Sequence, residues 1–326
     1  MENPVLETTR YLLKKPKYVN INDSRILQLA EEWRHEEFNL PKWDLPVYPA
    51  GKTNDVIDFF FLTDSINFAF TDFETKEKFE ADYEGKSWRG AMGMTACLSR
   101  ALDRGYPILD AKYLKDISRG HMEEIFKGNM EIPMLDERLE IFHEVGNVLE
   151  EKYGGHFHNL VHDSNNHLFN YGKGMVERLV NDFPSFDDSV MHAGQKISFN
   201  KRAQLAAAMV YERFEGELPI EDIHKSTIFA DYVLPKGLRD LGVLQYEDSL
   251  AKRVDNQEII PSGSLEELEI RASTIHAADL LTRSINLYHE VEHNDNINAL
   301  HMDAKLWLES RGKDGFPHHL TPTIAY

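Results

Sequence analysis

Leu139, Phe142, Val145 and Leu149 recur at intervals of three and four residues along 136–153, and Gly154-Gly155 then ends the run. Such spacing makes one apolar face only on an α-helix, and paired glycines are a common helix stop. Residues 23–38, 89–104, 200–214, 264–288 and 297–311 carry similar periodicity. The chain is therefore expected to be mainly α. Residues 56–63 are short, β-branched and aromatic, and are the best strand candidate. Pairing with 79–83 across a polar turn gives the expectation of one small β-sheet beside a helical body.

Length and composition narrow the class. With 326 residues the chain is long enough for one large domain or two intimate ones. No repeat, low-complexity tract or Pro/Gly/Ser-rich linker divides it, so a single domain is the simpler expectation. The strongest apolar run, 56–62, is interrupted by Asp58 and falls short of the roughly 18 residues a spanning helix needs. Met1-Glu2-Asn3-Pro4 has an early acid and no apolar segment, unlike a secretory signal, and a cytoplasmic location is expected. Cys97, the single cysteine, lies in an apolar stretch and is expected to be inert core. A formal charge of −19 argues against whole tRNA or DNA as a substrate, because cationic neutralisation of phosphates dominates such binding. One small anion can still be held locally.

Two segments stand out. Ile197-Ser198-Phe199-Asn200 leads into Lys201, the first turn of a helix rich in Ala, Leu, Met and Val; Ile228-Phe229-Ala230-Asp231-Tyr232 precedes a short amphipathic stretch, 234–241. A carboxylate with such neighbours must be paired, neutralised or poised for chemistry. From the residues alone, a helix cap or buried ion pair competes with a catalytic role.

These segments, in this order, resemble the queuosine salvage family, the queuosine 5′-phosphate N-glycosylases or hydrolases. The likeness extends through Asp64-Ser65-Ile66-Asn67-Phe68-Ala69-Phe70, residues 98–105, residues 131–138, Phe183-Pro184-Ser185-Phe186, Glu269-Ile270-Arg271, Asp303 with Trp307, and the aromatic tail. It covers roughly residue 20 onwards, leaving the N-terminal segment peripheral. The resemblance implies a helical fold akin to the helix-hairpin-helix DNA glycosylases and hydrolysis of a nucleotide C–N glycosidic bond to release queuine. Breaking that bond passes through an oxocarbenium-like state, which a fixed carboxylate stabilises while it orients or deprotonates water. Asp231 is assigned that role, with Lys201 holding the 5′-phosphate or steadying the acid. Phe68, Phe229, Tyr232 and Trp307 are candidate walls for the flat base, each with core packing as the commoner fate of such a residue. Asn67 and Asp303 are the polar candidates, Asp303 for the aminomethyl arm of queuine. Arg271 and Glu269 fit either a substrate contact or a buried salt bridge.

The chain departs from the family pattern at Ala91 and Met92, where an aromatic pair follows the glycine, and at Thr71 and His276, where tryptophans stand. Trp88 is a candidate replacement for the lost stacking surface. These departures bear on the base, and the alternatives are another modified or damaged nucleotide, or a binding protein without turnover. Neither metal nor organic cofactor is expected, and water is the second substrate. His289-Glu290-Val291-Glu292-His293 reads as the zincin pattern, but it leads into a polar run suited to a solvated surface. His156, His158, His162 and His167 are expected to form a polar loop. Gly172-Lys173-Gly174 lacks the strand and spacing of a phosphate-binding loop.

Overall fold

The computed structural model describes residues 3–214, 217–310 and 314–326. About 53% of the chain is helical, so the protein is mainly α, with small antiparallel sheets. The periodic stretches form the helices Asp23–Trp33, Ala91–Asp103, Leu135–Lys152, Lys201–Arg213, Leu265–Glu292 and Ala299–Ser310. Met1, Glu2 and Arg311, which belong to the expectations above, lie outside the described residues. No helix among the described residues is long and apolar enough to cross a membrane.

The strand expected at 56–63 is instead the helix Thr53–Ser65, and every residue from Val56 to Ser65 is buried. A helix buried on all sides loses the polar face that marks its period, leaving β-branched and aromatic content as a misleading cue. Glu80–Tyr83 is a strand, but its partner is Lys86–Arg89, with Glu80 opposite Arg89 and Tyr83 opposite Lys86. Glu84 and Gly85 turn the chain at φ 50° and 71°, and Ala193 and Gly194 do the same at 47° and 79° between Ser189–His192 and Gln195–Ser198. Two consecutive positive φ values make the hairpin turn whose twist matches the flanking strands. A third pair joins Val19–Ile21 to Leu244–Tyr246. Among the described residues the β-structure is thus three separate two-stranded ribbons, where one small sheet was expected.

Two apolar clusters hold the helices. The first gathers Thr53–Ser65, Ala91–Asp103, Leu135–Lys152 and Lys201–Arg213; Cys97 is fully buried within it. The second gathers Asp23–Trp33, Val233–Asp240, Leu265–Glu292 and Ala299–Ser310. Its side chains include Val5, Leu12 and Val19, so the N-terminal segment supplies core rather than a peripheral arm. Trp307 packs against both clusters. The candidate site opens at this junction.

Candidate functional site

Asp231 stands just ahead of the helix Val233–Asp240. Its Oδ1 accepts the amide N–H groups of Val233 at 2.7 Å and Leu234 at 3.0 Å, so the helix-cap role foreseen as an alternative is present in one oxygen. The carboxyl also lines a cavity of about 190 Å³ shared with Lys201, Asn67, Tyr232 and Trp307. Burial raises its pKa, while the Lys201 charge and the two amides pull it down. Neither role excludes the other, because the cap fixes the direction of the carboxylate and leaves Oδ2 outside those two bonds.

Lys201 opens its helix after Asn200, which turns the chain at φ 53°, ψ 37°; asparagine tolerates this left-handed conformation better than most residues. The Lys201 amide donates to Asp188 Oδ2 at 3.0 Å, and Nζ donates to the Asn67 carbonyl at 3.3 Å. Burial lowers the ammonium pKa, opposed by the charges of Asp231, Asp64 and Asp303. Asn67 donates from Nδ2 to Asp64 Oδ1 at 2.8 Å. The other Asp64 oxygen is buried without a partner among the described residues, and burial pushes this carboxyl up to about 7.

The remaining expected residues divide sharply. Tyr232 and Trp307 line the cavity, and Tyr232 packs at 4.5 Å and 35° against His318. Asp303 is not on the lining; its Oδ1 accepts the Phe229 amide at 2.8 Å, and burial, reinforced by the Asp231 charge, pushes it up to about 8. Phe229 and Phe68 are buried core, and Phe68 lies under the guanidinium groups of Arg138 and Arg202 at 4.3 and 5.4 Å. Arg138 donates to the carbonyls of Ile66, Phe68 and Ala69, fixing the loop that presents Asn67.

Arg271 and Glu269 do not pair with one another. Arg271 forks onto Asp188 at 2.8 and 2.6 Å and lies 3.7 Å from Glu267, while Glu269 accepts the backbone amides of Lys17, Tyr18 and Val19. Trp88 is buried, donates to the Tyr83 carbonyl at 3.1 Å and stands off the cavity. Of the positions that depart from the family pattern, Ala91 and Met92 line the cavity, whereas Thr71 and His276 do not. His289 ends its string against the carbonyls of Asp295 and Arg34 at 2.9 and 3.0 Å, and His293 is the left-handed cap beyond the helix.

Sequence reasoning missed the cations. Lys78, Arg89 and Lys236 share the cavity lining with Lys201, joined by Phe70, His318 and Tyr326. The clearest signal for one of them is Gly90: a Cβ there would stand 2.7 Å from Lys78 Cε, so the glycine clears the path of that lysine. Lys236 sits one turn into the helix that Asp231 caps, on its cavity side. Burial holds His318 down near 4, so it is neutral at pH 7.

A helical chain with an acid and an amine on one cavity, beside Lys78, Arg89 and Lys236, is suited to a small anionic molecule. Comparison with known proteins gives the family. The model of the queuosine salvage protein family matches residues 47–326. Proteins named queuosine 5′-phosphate N-glycosylase/hydrolase from Sphaerobacter thermophilus and Mus musculus are 32% and 33% identical to this chain over 99% of its length, covering 97% and 96% of theirs. The Bos taurus protein of the same name is 29% identical, with 98% of each chain covered. The chain belongs to the queuosine salvage family.

Proposed function

We propose that the protein is an N-glycosidase that hydrolyses the C–N glycosidic bond of queuosine 5′-phosphate and releases queuine. The observation that carries this reading is Asp231, held by two amides on a cavity it shares with Lys201. The relatives of the same family bear the name of that activity over almost their whole length.

In this mechanism the C1′–N bond breaks with its electron pair going to the base, whose nitrogen takes a proton from solvent water, and the proton that Asp231 later accepts returns to solvent. Positive charge then builds on the sugar, where the Asp231 carboxylate stabilises it and accepts a proton from the water that attacks C1′. Lys201 steadies Asp231 in its charged form; a point charge does this without the two-pronged pairing an arginine would impose. Lys78, together with Arg89 and Lys236, which also pair with Glu80 and Asp240, gives the 5′-phosphate its counter-charge, a task that the resemblance offered for Lys201 as the alternative to steadying the acid. Tyr232 and Trp307 supply flat surface for the base, and Asn67 a polar edge. Phe229, Phe68 and Trp88 act through packing, Arg271 through its buried pair with Asp188, and Glu269 through the backbone amides of Lys17, Tyr18 and Val19. Asp303 steadies the segment leading to Asp231 through the Phe229 amide.

The same reading takes the chain as one domain working in the cytoplasm on a free nucleotide, since a net charge of −19 opposes binding of a nucleic acid. The order of Lys201 at one helix start and Asp231 before the next supports kinship with the helix-hairpin-helix glycosylases. Chromatography of queuosine 5′-phosphate and of GMP after incubation tests the proposal. Base release is expected from the first alone, as queuine, with no guanine from GMP, and Asp231→Asn should lower turnover by about 10²–10⁴-fold. Ligand stabilisation without product, unchanged in that variant, would mark a binding protein instead.

A further inference from the structure

Of the four histidines expected to form a polar loop, His158 and His162 instead lie on the helix Phe157–Asp163 that His156 caps, and His156 and His158 converge on one buried carboxylate. Asp58 lies on the Thr53–Ser65 helix among Ile57, Phe59, Phe60 and Phe61, and is 4% exposed. A carboxylate in such a place must be richly bonded. Its Oδ1 accepts the His158 amide at 2.7 Å, while Nδ1 of His156 and Nδ1 of His158 stand 2.9 and 3.0 Å from Oδ2. The two rings stack at 4.7 Å and 30°.

These three donor atoms lie within 4.8 Å of one another, the one such group found among the described residues. Zinc–nitrogen and zinc–oxygen bonds of about 2.0–2.2 Å place tetrahedral ligand atoms roughly 3.3–3.5 Å apart. Only small side-chain movements separate the observed arrangement from that one. The His158 amide already orients the carboxylate, as outer partners of metal ligands do. On the solvent side, His156, Gly154, Gly155, Asp110 and Glu150 border a recess of about 430 Å³ with room for a water ligand.

We propose that Asp58, His156 and His158 form a binding site for a divalent metal of zinc type, with water completing the shell from the recess. Each histidine binds through Nδ1 and carries its proton on Nε2. The site shares no residue with the Asp231 cavity. It staples the Thr53–Ser65 helix to Phe157–Asp163, segments that are about a hundred residues apart in the chain.

The test uses the full chain, stripped with a chelator, dialysed against micromolar zinc and assayed by elemental analysis and thermal unfolding. One zinc per chain and a raised melting temperature are expected. Cobalt in place of zinc should give a visible d–d spectrum without a thiolate charge-transfer band. His156→Ala, at a side chain 46% exposed and therefore tolerant of change, should weaken zinc binding by more than about tenfold, and His158→Ala likewise. His293→Ala should leave uptake unchanged. Zinc well below one equivalent, or a full equivalent retained by folded His156→Ala, would overturn the assignment, as would loss of uptake in the His293 variant.

Discussion

At the residue scale, several buried acids off the cavity lining have their charged forms suppressed. Burial raises Asp303 and Glu212 to about 8 and Asp64 to about 7, and lowers His276 and His318 to about 4 and His319 to about 3. The signs oppose each other over different ranges. A carboxyl raised on folding binds its proton more tightly in the native state, so its contribution is lost as pH climbs from its unfolded value to its folded one. A lowered histidine stabilises above about 6.5 and loses that contribution as pH falls towards 4. Above pH 6.5 only the carboxyls in this set still change. The melting temperature of the free protein should therefore fall between pH 6.5 and 8, and Glu212→Gln, which still accepts the Trp43 indole N–H, should flatten that fall. A melting temperature that rises across this window would contradict these assignments. Asp231→Asn should leave stability nearly unchanged, since an amide oxygen still caps Val233 and Leu234; thermal unfolding beside the activity assay separates the two effects.

At the element scale, the helices Val233–Asp240 and Ala299–Ser310 approach closely enough that a Cβ on Gly237 would stand 1.7 Å from Ser310 Oγ and 2.8 Å from its Cβ. Gly237→Ala must push the helices apart, at a cost of about 1–3 kcal/mol. Because Ser310 and Trp307 both line the cavity, KM should rise as well. Pairing the change with Ser310→Gly should restore part of the lost stability in denaturant unfolding. The periodicity of 297–311 and the amphipathic run 234–241 were legible in sequence, but their contact was not, because a glycine is silent about what passes over it.

At the scale of the whole molecule, Asp188 and Arg271 tie the second cluster to the segments that carry Lys201 and Asp231. Arg271, on the long helix Leu265–Glu292, grips Asp188 and also donates to the Ala230 carbonyl at 3.2 Å, while Asp188 receives the Lys201 amide. One buried pair thus registers both Lys201 and the residue before Asp231. Arg271→Ala leaves Asp188 buried and unpaired, which should cost about 3–5 kcal/mol in chemical denaturation. Arg271→Lys should recover little of it, since lysine cannot reproduce the two-pronged contact.

Local pattern determined most of the helices, the family, and the pairing of Lys201 with Asp231 as the residues to examine, because periodicity and an ordered set of motifs are written along the chain. The helix at 53–65 was hidden because burial on every side erases the alternation that reveals a helix. Only tertiary structure decided that Lys78, Arg89 and Lys236 join one cavity, that Arg271 faces Asp188 instead of Glu269, and that two histidines meet Asp58. Those groups come from distant parts of the chain, and their distances are set by how helices pack, which no single segment encodes.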